Sequence, residues 1–196
     1  MKKCEYTENG NVINCWEANV VPGYTITKLR ANGTEERELS SGITPVAGKF
    51  YNITLDYDPG YTTTTDDQGQ TIYNTDNGKG LKNLAKLVNE EGKTDIDITL
   101  TGDITLTGEW TPIGTYDKPY TGTFDGGGKY TITGLTVTGS NDYVGLFGRI
   151  GSGGAVKNMI LTEVNVTAGT SVGGIAGQND GTVENCSVNG TVTGRG

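Results

Sequence analysis

Apolar residues in the second half of the chain recur in short alternating runs. Ile98, Leu100, Ile104 and Leu106 alternate with polar residues, and Ile132, Leu135 and Val137 continue the pattern. Leu146-Phe147, Val156, Ile160-Leu161, Val164 and Val166 follow, then Val172, Ile175, Val183, Cys186, Val188 and Val192. A period of two predicts strands with one buried face. Glycines bound the runs, so each predicted strand is only a few residues long. Leu81, Leu84, Ala85 and Val88 follow a different spacing. Steps of three and four predict a helix over 81–92, with Gly92 as its stop.

The first 60 residues also read as β. Val12-Ile13-Asn14-Cys15-Trp16 is a predicted strand. Tyr24 to Leu29 alternates and pairs, across the Asn32-Gly33 turn, with Glu36 to Leu39. Phe50 to Tyr57 alternates as well. Four such strands make a poor sandwich by themselves, since both faces need cover. Residues 61–80 are polar, with four consecutive threonines (Thr62 to Thr65) and then Asp66-Asp67-Gln68-Gly69. They read as a mobile linker. The expected organisation is therefore 1–60 as a partial sandwich-like β segment, 61–80 as linker and 81–92 as helix. Residues 93–196 are expected as β repeats that stop in mid-repeat, as in an excised part of a longer exported protein.

Within the repeats one motif occurs twice. Val144-Gly145-Leu146-Phe147-Gly148 precedes Ala155-Val156-Lys157-Asn158, and Val172-Gly173-Gly174-Ile175-Ala176-Gly177 precedes Thr182-Val183-Glu184-Asn185. Asn158 and Asn185 are 27 positions apart, and Gly148 and Gly177 are 29 apart. Such a period marks a stacked array of coils. Short strands separated by glycine turns, coil upon coil, give a parallel β-helix. A helix just before it is suited to cover its open end. Stacking places Asn158 above Asn185, where buried amides bond along a ladder. Cys186 reads as a small apolar core residue.

Composition agrees with a thin, repeated core. Glycine is 32 of 196 residues, about twice the ordinary ~7%. Hydrophobic residues are 33%, below the usual ~45–50%, which argues against one large core. The net charge of −8 argues against nucleic acid, whose phosphates need clustered Lys and Arg. No segment is long enough to span a membrane. Met1-Lys2-Lys3-Cys4 looks like a lipoprotein start, but no apolar stretch follows. Cys4, Cys15 and Cys186 fit no zinc spacing, while Cys4 and Cys15 could bridge a short loop.

Five segments, in order, carry a family resemblance. They are Trp110-Thr111-Pro112-Ile113-Gly114, Gly122-Thr123-Phe124-Asp125-Gly126, Val144 to Gly148, Val172 to Gly177, and Glu184-Asn185-Cys186. Residues 80–196 resemble the bacterial surface-protein repeats named for the GLUG motif. The resemblance implies an all-β fold, a right-handed parallel β-helix with one capping helix, displayed at the cell surface or outside the cell. It implies adhesion and no catalytic residues. Ala47 to Leu55 resemble, more weakly, the end of a fimbrillin-like β-sandwich.

Candidate sites are few. Asp125-Gly126-Gly127-Gly128-Lys129 lacks the first glycine and the Ser or Thr of a phosphate loop, so it reads as a turn. No histidine is present, which removes Ser-His and Cys-His nucleophile systems. Asp66, Asp67, Asp76 and Asn77 offer oxygen ligands but match no EF-hand spacing, and no metal or cofactor is assigned. For a polysaccharide lyase or hydrolase the candidates are Asp103, Asp117, Asp142 and Lys118, which no spacing singles out. Trp110, Tyr116, Tyr120, Tyr130 and Tyr143 cluster around the first coils, and flat rings stack on sugars and anchor interfaces. Trp110, Tyr116, Tyr120 and Tyr143 are the ligand-binding candidates. Gly145, Gly148, Gly173, Gly177, Asn158, Asn185 and Cys186 are the structural repeat positions. The expected function is non-enzymatic surface adhesion to a glycan or host protein. The alternative is a stalk or self-assembling segment, stacking near Val188 and Val192. A carbohydrate-active enzyme ranks third.

Overall fold

A computed structural model describes residues 2–8, 11–17, 25–31, 35–44, 46 and 58–195, with side chains at Thr25, Thr44, Val46 and throughout 58–195. The chain divides into two compact units, Met1–Tyr57 and Asp58–Gly196.

Among the described residues the first unit shows two antiparallel hairpins. β1 (Lys2–Glu8) pairs with β2 (Asn11–Glu17), and β3 (Ile26–Ala31) pairs with β4 (Glu35–Ile43). The register of the first hairpin sets Cys4 opposite Cys15; their side chains lie outside the described residues. So does the strand expected over 50–57, and with it the segment that carries the fimbrillin-like resemblance.

The second unit is a parallel β-helix. It opens with a hairpin, β5 (Thr62–Thr65) against β6 (Thr71–Thr75). Residues 61–80, expected as a linker, are therefore built into the solenoid. Asp66 makes the turn: its Oδ1 accepts the Gln68 and Gln70 N–H groups at 2.9 and 2.8 Å. The helix α1 (Gly78–Asn89) follows, starting and ending three residues before the span expected from apolar spacing. Its start is set by a polar residue that an apolar count passes over. The Asn77 Oδ1 accepts the Gly80 N–H at 2.9 Å and satisfies one open donor of the first turn. Gly92 stands just past the helix in the left-handed region, φ 74°.

The coils then follow. β7 (Asp97–Leu100) and β8 (Ile104–Thr105) belong to the first coil after α1. β9 (Thr123–Asp125), β10 (Thr131–Thr133), β11 (Thr136–Thr138) and β12 (Phe147–Ile150) form the next. β13 (Ala155–Lys157), β14 (Ile160–Ala168) and β15 (Ala176–Asn179) form the third, and β16 (Thr182–Glu184) and β17 (Ser187–Gly194) begin another. One sheet runs β5-β6-β7-β9-β13-β16, parallel from β6 onward. A second joins β8, β10, β14 and β17, with β11 beside the far half of β14. The third pairs β12 with β15 and is extended by bridges from Ile113 to Phe147 and from Tyr120 to Ile150.

Register stacks like on like. Ile98, Phe124, Val156 and Val183 form one inward column, and Ile104, Ile132, Leu161 and Val188 form another. Aromatic rings fill the middle: Tyr120 and Phe124 meet Phe147 at 5.2 and 5.4 Å between ring centres. α1 lies against this core with Leu81, Leu84 and Val88 fully buried. The Asn89 side chain ties it to the next coil, donating to the Pro112 carbonyl and accepting the Gly114 N–H, both at 2.9 Å. The helix thus covers one end of the solenoid.

The repeat glycines are explained by space. A Cβ on Gly148 would lie 2.4 Å from the Gly114 carbonyl oxygen, and one on Gly177 would lie 2.4 Å from the Val144 nitrogen. A Cβ on Gly145 would lie 2.8 Å from the Gly173 carbonyl oxygen of the next coil, and one on Gly173 would lie 2.1 Å from the Ala176 carbonyl oxygen of its own. Backbone of the adjoining coil cannot rotate aside as a side chain can. Gly148→Ala is therefore expected to destabilise the second unit by about 1–3 kcal/mol, the usual cost of overpacking. Thermal unfolding followed by circular dichroism checks it, and an unchanged midpoint refutes the close-approach account.

Candidate functional site

The aromatic candidates separate into two groups. Trp110 and Tyr120 are core residues, 4% and 0% exposed. Each buries its ring and finds a partner for its polar end. The Trp110 Nε1–H donates to the Leu146 carbonyl at 3.0 Å, and the Tyr120 hydroxyl donates to the Ile96 carbonyl at 2.8 Å. Burial pushes the Tyr120 phenol well above its ordinary pKa of 10.0, with the nearby Asp97 carboxylate adding to the shift. Neither side chain can meet a ligand, which corrects their place among the binding candidates. Tyr130 is half-buried, with the Lys129 ammonium 4.8 Å from its ring centre.

Tyr116 and Tyr143 stand together on the outer surface. Their rings lie 5.2 Å apart at 45°, and Tyr116 is 55% exposed. Tyr116 rides on a tight turn closed by the Thr115 N–H donating to the Lys118 carbonyl at 2.9 Å. Lys118 fastens that turn: its ammonium donates to the Asn89 carbonyl at 2.6 Å and the Glu90 carbonyl at 3.3 Å. These are the open acceptors at the end of α1, where a cation is favoured. Tyr143 is held with φ 58°, a left-handed conformation costly for a bulky side chain.

Sequence reasoning missed the polar half of this surface. The Arg149 guanidinium sits 5.1 Å from the Tyr116 ring centre, and its Nη1 donates to the Tyr116 carbonyl at 3.1 Å. Its Nε and Nη2 reach Asp180 Oδ2 at 2.8 and 2.7 Å. The Gln178 amide donates to both Asp180 oxygens at 3.0 Å. Bonds from Gln178 and Arg149 hold the Asp180 carboxyl below its ordinary pKa. Strand register sets Arg149 beside Gln178, one coil apart. That spacing was the available signal, since both residues follow directly on the repeat glycines Gly148 and Gly177.

Most other polar candidates connect coil to coil. The Asp103 carboxylate accepts the Thr131 N–H at 2.9 Å, and Asp142 accepts the Thr170 N–H and hydroxyl at 2.7 and 2.9 Å. Asp97 and Glu109 serve Thr123 and Thr138 in the same way. Asp117 stays on the exposed turn beside Tyr116. Asn158 and Asn185 form the expected ladder, at 3.4 Å, and Asp125 is its first rung, accepting from the Asn158 amide at 3.1 Å. The ladder is not buried as expected but lies at a partly exposed corner, because both asparagines sit at turns with left-handed φ, 55° and 51°. Cys186 is half-buried with a free thiol that burial pushes up in pKa. Asp66 serves its turn, and Asp76 accepts from the Asn77 amide at 2.8 Å. Beside α1 a shallow groove of about 220 Å³ is lined by Lys86, Glu90, Glu109 and Trp110. It is smaller than ordinary ligand pockets.

Residues 168–193 match the family model of the GLUG motif. With the coil geometry above, the solenoid is a GLUG-repeat β-helix. The chain is 43% identical over 79 residues to a halomucin of Haloquadratum walsbyi, covering 40% of this chain and 1% of that protein. It is 40% identical over 98 residues to a putative Gly-rich membrane protein of Evansella cellulosilytica, covering 48% of this chain and 11% of that protein. No solved structure matches the chain. Among the described residues no helix is long and apolar enough to cross a membrane.

Two outcomes follow. Tyr120→Ala is expected to cost about 3–5 kcal/mol of stability, as aromatic core truncations do; denaturant unfolding measures it. Asp142 and Asp125 are also held below their ordinary pKa of 3.8. For Asp142 the Thr170 bonds are the cause. For Asp125 burial pulls upward, and the bonds from Gly127 and Asn158 with the Lys157 charge outweigh it. A depressed folded-state pKa gives stability that is present above 3.8 and lost as pH falls through the lower value. The unfolding midpoint should therefore drop as pH is taken below about 4, and Asp142→Asn should flatten that drop.

Proposed function

We propose that this chain is a non-enzymatic module displayed at the cell surface, where it binds glycan through the Tyr116–Tyr143 platform. The names of its relatives, a halomucin and a Gly-rich membrane protein, support the location. One observation carries the binding role: a bulky Tyr143 is kept in a left-handed corner, φ 58°, with its ring 5.2 Å from an exposed Tyr116. The equivalent corner one coil on carries Ser171, φ 55°. Strain held where a smaller residue suffices points to use of the side chain. Of the lyase or hydrolase candidates, Asp103 and Asp142 are occupied in bonds to backbone N–H groups and Lys118 in bonds to carbonyls; Asp117 is left, and glycoside hydrolysis calls for two facing carboxylates, which favours binding without turnover.

The test is retention of the purified protein on immobilised polysaccharides and mucins, with product release followed in parallel. Saturable retention without released oligosaccharide is expected. Tyr116→Ala should weaken it about tenfold, the loss of a central aromatic contact. Tyr143→Asn should weaken it too while leaving the unfolding midpoint unchanged or raised, because asparagine accepts left-handed φ. Retention that ignores both substitutions overturns the reading.

A second reading, self-association, has its own observation. Val183, Val188 and Val192, all on the last coil, are 36%, 42% and 41% exposed. The opposite end is covered by α1, so this reading joins two copies through their last coils. Sedimentation should then show a dimer that Val188→Lys dissociates; a monomer at high concentration removes the reading.

A further inference from the structure

We infer that the Tyr116–Tyr143 platform selects neutral sugar rings and rejects acidic ones. The inference rests on the binding reading above and adds the ligand class.

Charge is the first ground. The cation that lies over the Tyr116 ring, Arg149, is already engaged. Its Nε and Nη2 hold Asp180 at 2.8 and 2.7 Å, and its Nη1 holds the Tyr116 carbonyl at 3.1 Å. A uronate or sialate would bring a second carboxylate to a site that already holds Asp180. The chain as a whole carries −8. Like charges so placed disfavour binding.

Hydrogen-bonding capacity is the second ground. No protein group bonds the Tyr116 or Tyr143 hydroxyl, or the Gln178 Oε1, among the described residues. Asp180 Oδ1 accepts only the Gln178 amide among the described residues and keeps a second lone pair. Sugar hydroxyls both donate and accept, so they match this mixed set. The exposed Tyr116 ring supplies the flat apolar surface that a pyranose face covers.

Size is the third ground and argues against a protein ligand. The large apolar side chains exposed among the described residues are Val46, Tyr116, Val183, Val188 and Val192. The other members of that set in the second unit, Val183, Val188 and Val192, belong to the last coil. A protein interface needs about 800 Å² on each partner with an apolar centre. Two tilted rings fit one or two sugar units.

The experiment sets neutral polymers (mannan, xylan, galactan, laminarin) against acidic ones (polygalacturonate, alginate, hyaluronan), at low salt and at about 0.5 M. The expected result is retention on at least one neutral polymer, insensitive to salt and weakened about tenfold or more by Tyr116→Ala. Asp180→Asn should weaken neutral binding and raise retention on acidic polymers, because it leaves the Arg149 charge unpaired. The unfolding midpoint of each variant separates loss of the site from loss of the fold. Tyr116-dependent retention on acidic polymers, weakened by salt, overturns the neutral preference and leaves glycan binding standing. Failure to bind any polymer overturns both, as does retention on deglycosylated mucin polypeptide alone.

Discussion

The spacing between stacked strands governs this molecule. Parallel strands sit ~4.8 Å apart, so every side chain is set one step above its counterpart in the next coil. Val156 lies between Phe124 and Val183, and Leu161 between Ile132 and Val188. A residue that suits one coil must suit its neighbours. Where the chain turns its backbone toward the adjoining coil, as at Gly148 and Gly177, no room remains for a Cβ. The Asp and Glu side chains that reach from one coil to a backbone N–H of the next satisfy donors that short strands leave open at the corners.

Stacking of this kind makes each coil depend on its neighbours, so the ends are special. α1 meets the need at one end. Its apolar face takes the place of a coil, and its last carbonyls are bonded by Lys118. The same bonds hold the turn that presents Tyr116. End covering and the candidate binding surface are therefore mechanically linked. The last coil is covered on one side only, which explains why apolar residues with buried counterparts, such as Val183 and Val188, are exposed there.

Function on such a scaffold rests with side chains that stacking does not consume. Of the acidic groups considered as catalytic candidates, Asp103 and Asp142 are consumed, while Asp117 stays on the exposed turn beside Tyr116. The Tyr116–Tyr143 rings are left outside, and the Arg149–Asp180–Gln178 group, which itself bridges neighbouring passes, adjoins them on the outside of the third sheet. They come from three successive passes of the chain. A binding surface of this kind is assembled by register, and a shift of one residue in β12 against β15 would separate Arg149 from Gln178.

Much of the fold was legible in the chain alone. Alternation gave the strands, the glycine-punctuated repeat gave the stacking, and the 27-residue interval gave the Asn158–Asn185 ladder. These depend on local spacing, which a sequence displays directly. The threonine-rich hairpin over 62–75 was not legible, because β6 carries little apolar pattern and is held by its ladder to β7. Nor was the division of the aromatics. Trp110 and Tyr120 carry both an apolar ring and a polar group, and sequence cannot say whether that group faces water or a buried carbonyl. The carbonyls that answer it, Leu146 and Ile96, lie 36 and 24 residues away. Only the coiled chain brings them within 3.0 Å of their donors. Tertiary stacking thus withdrew two rings into the core, left Tyr116 and Tyr143 outside, and added Arg149, Gln178 and Asp180 beside them.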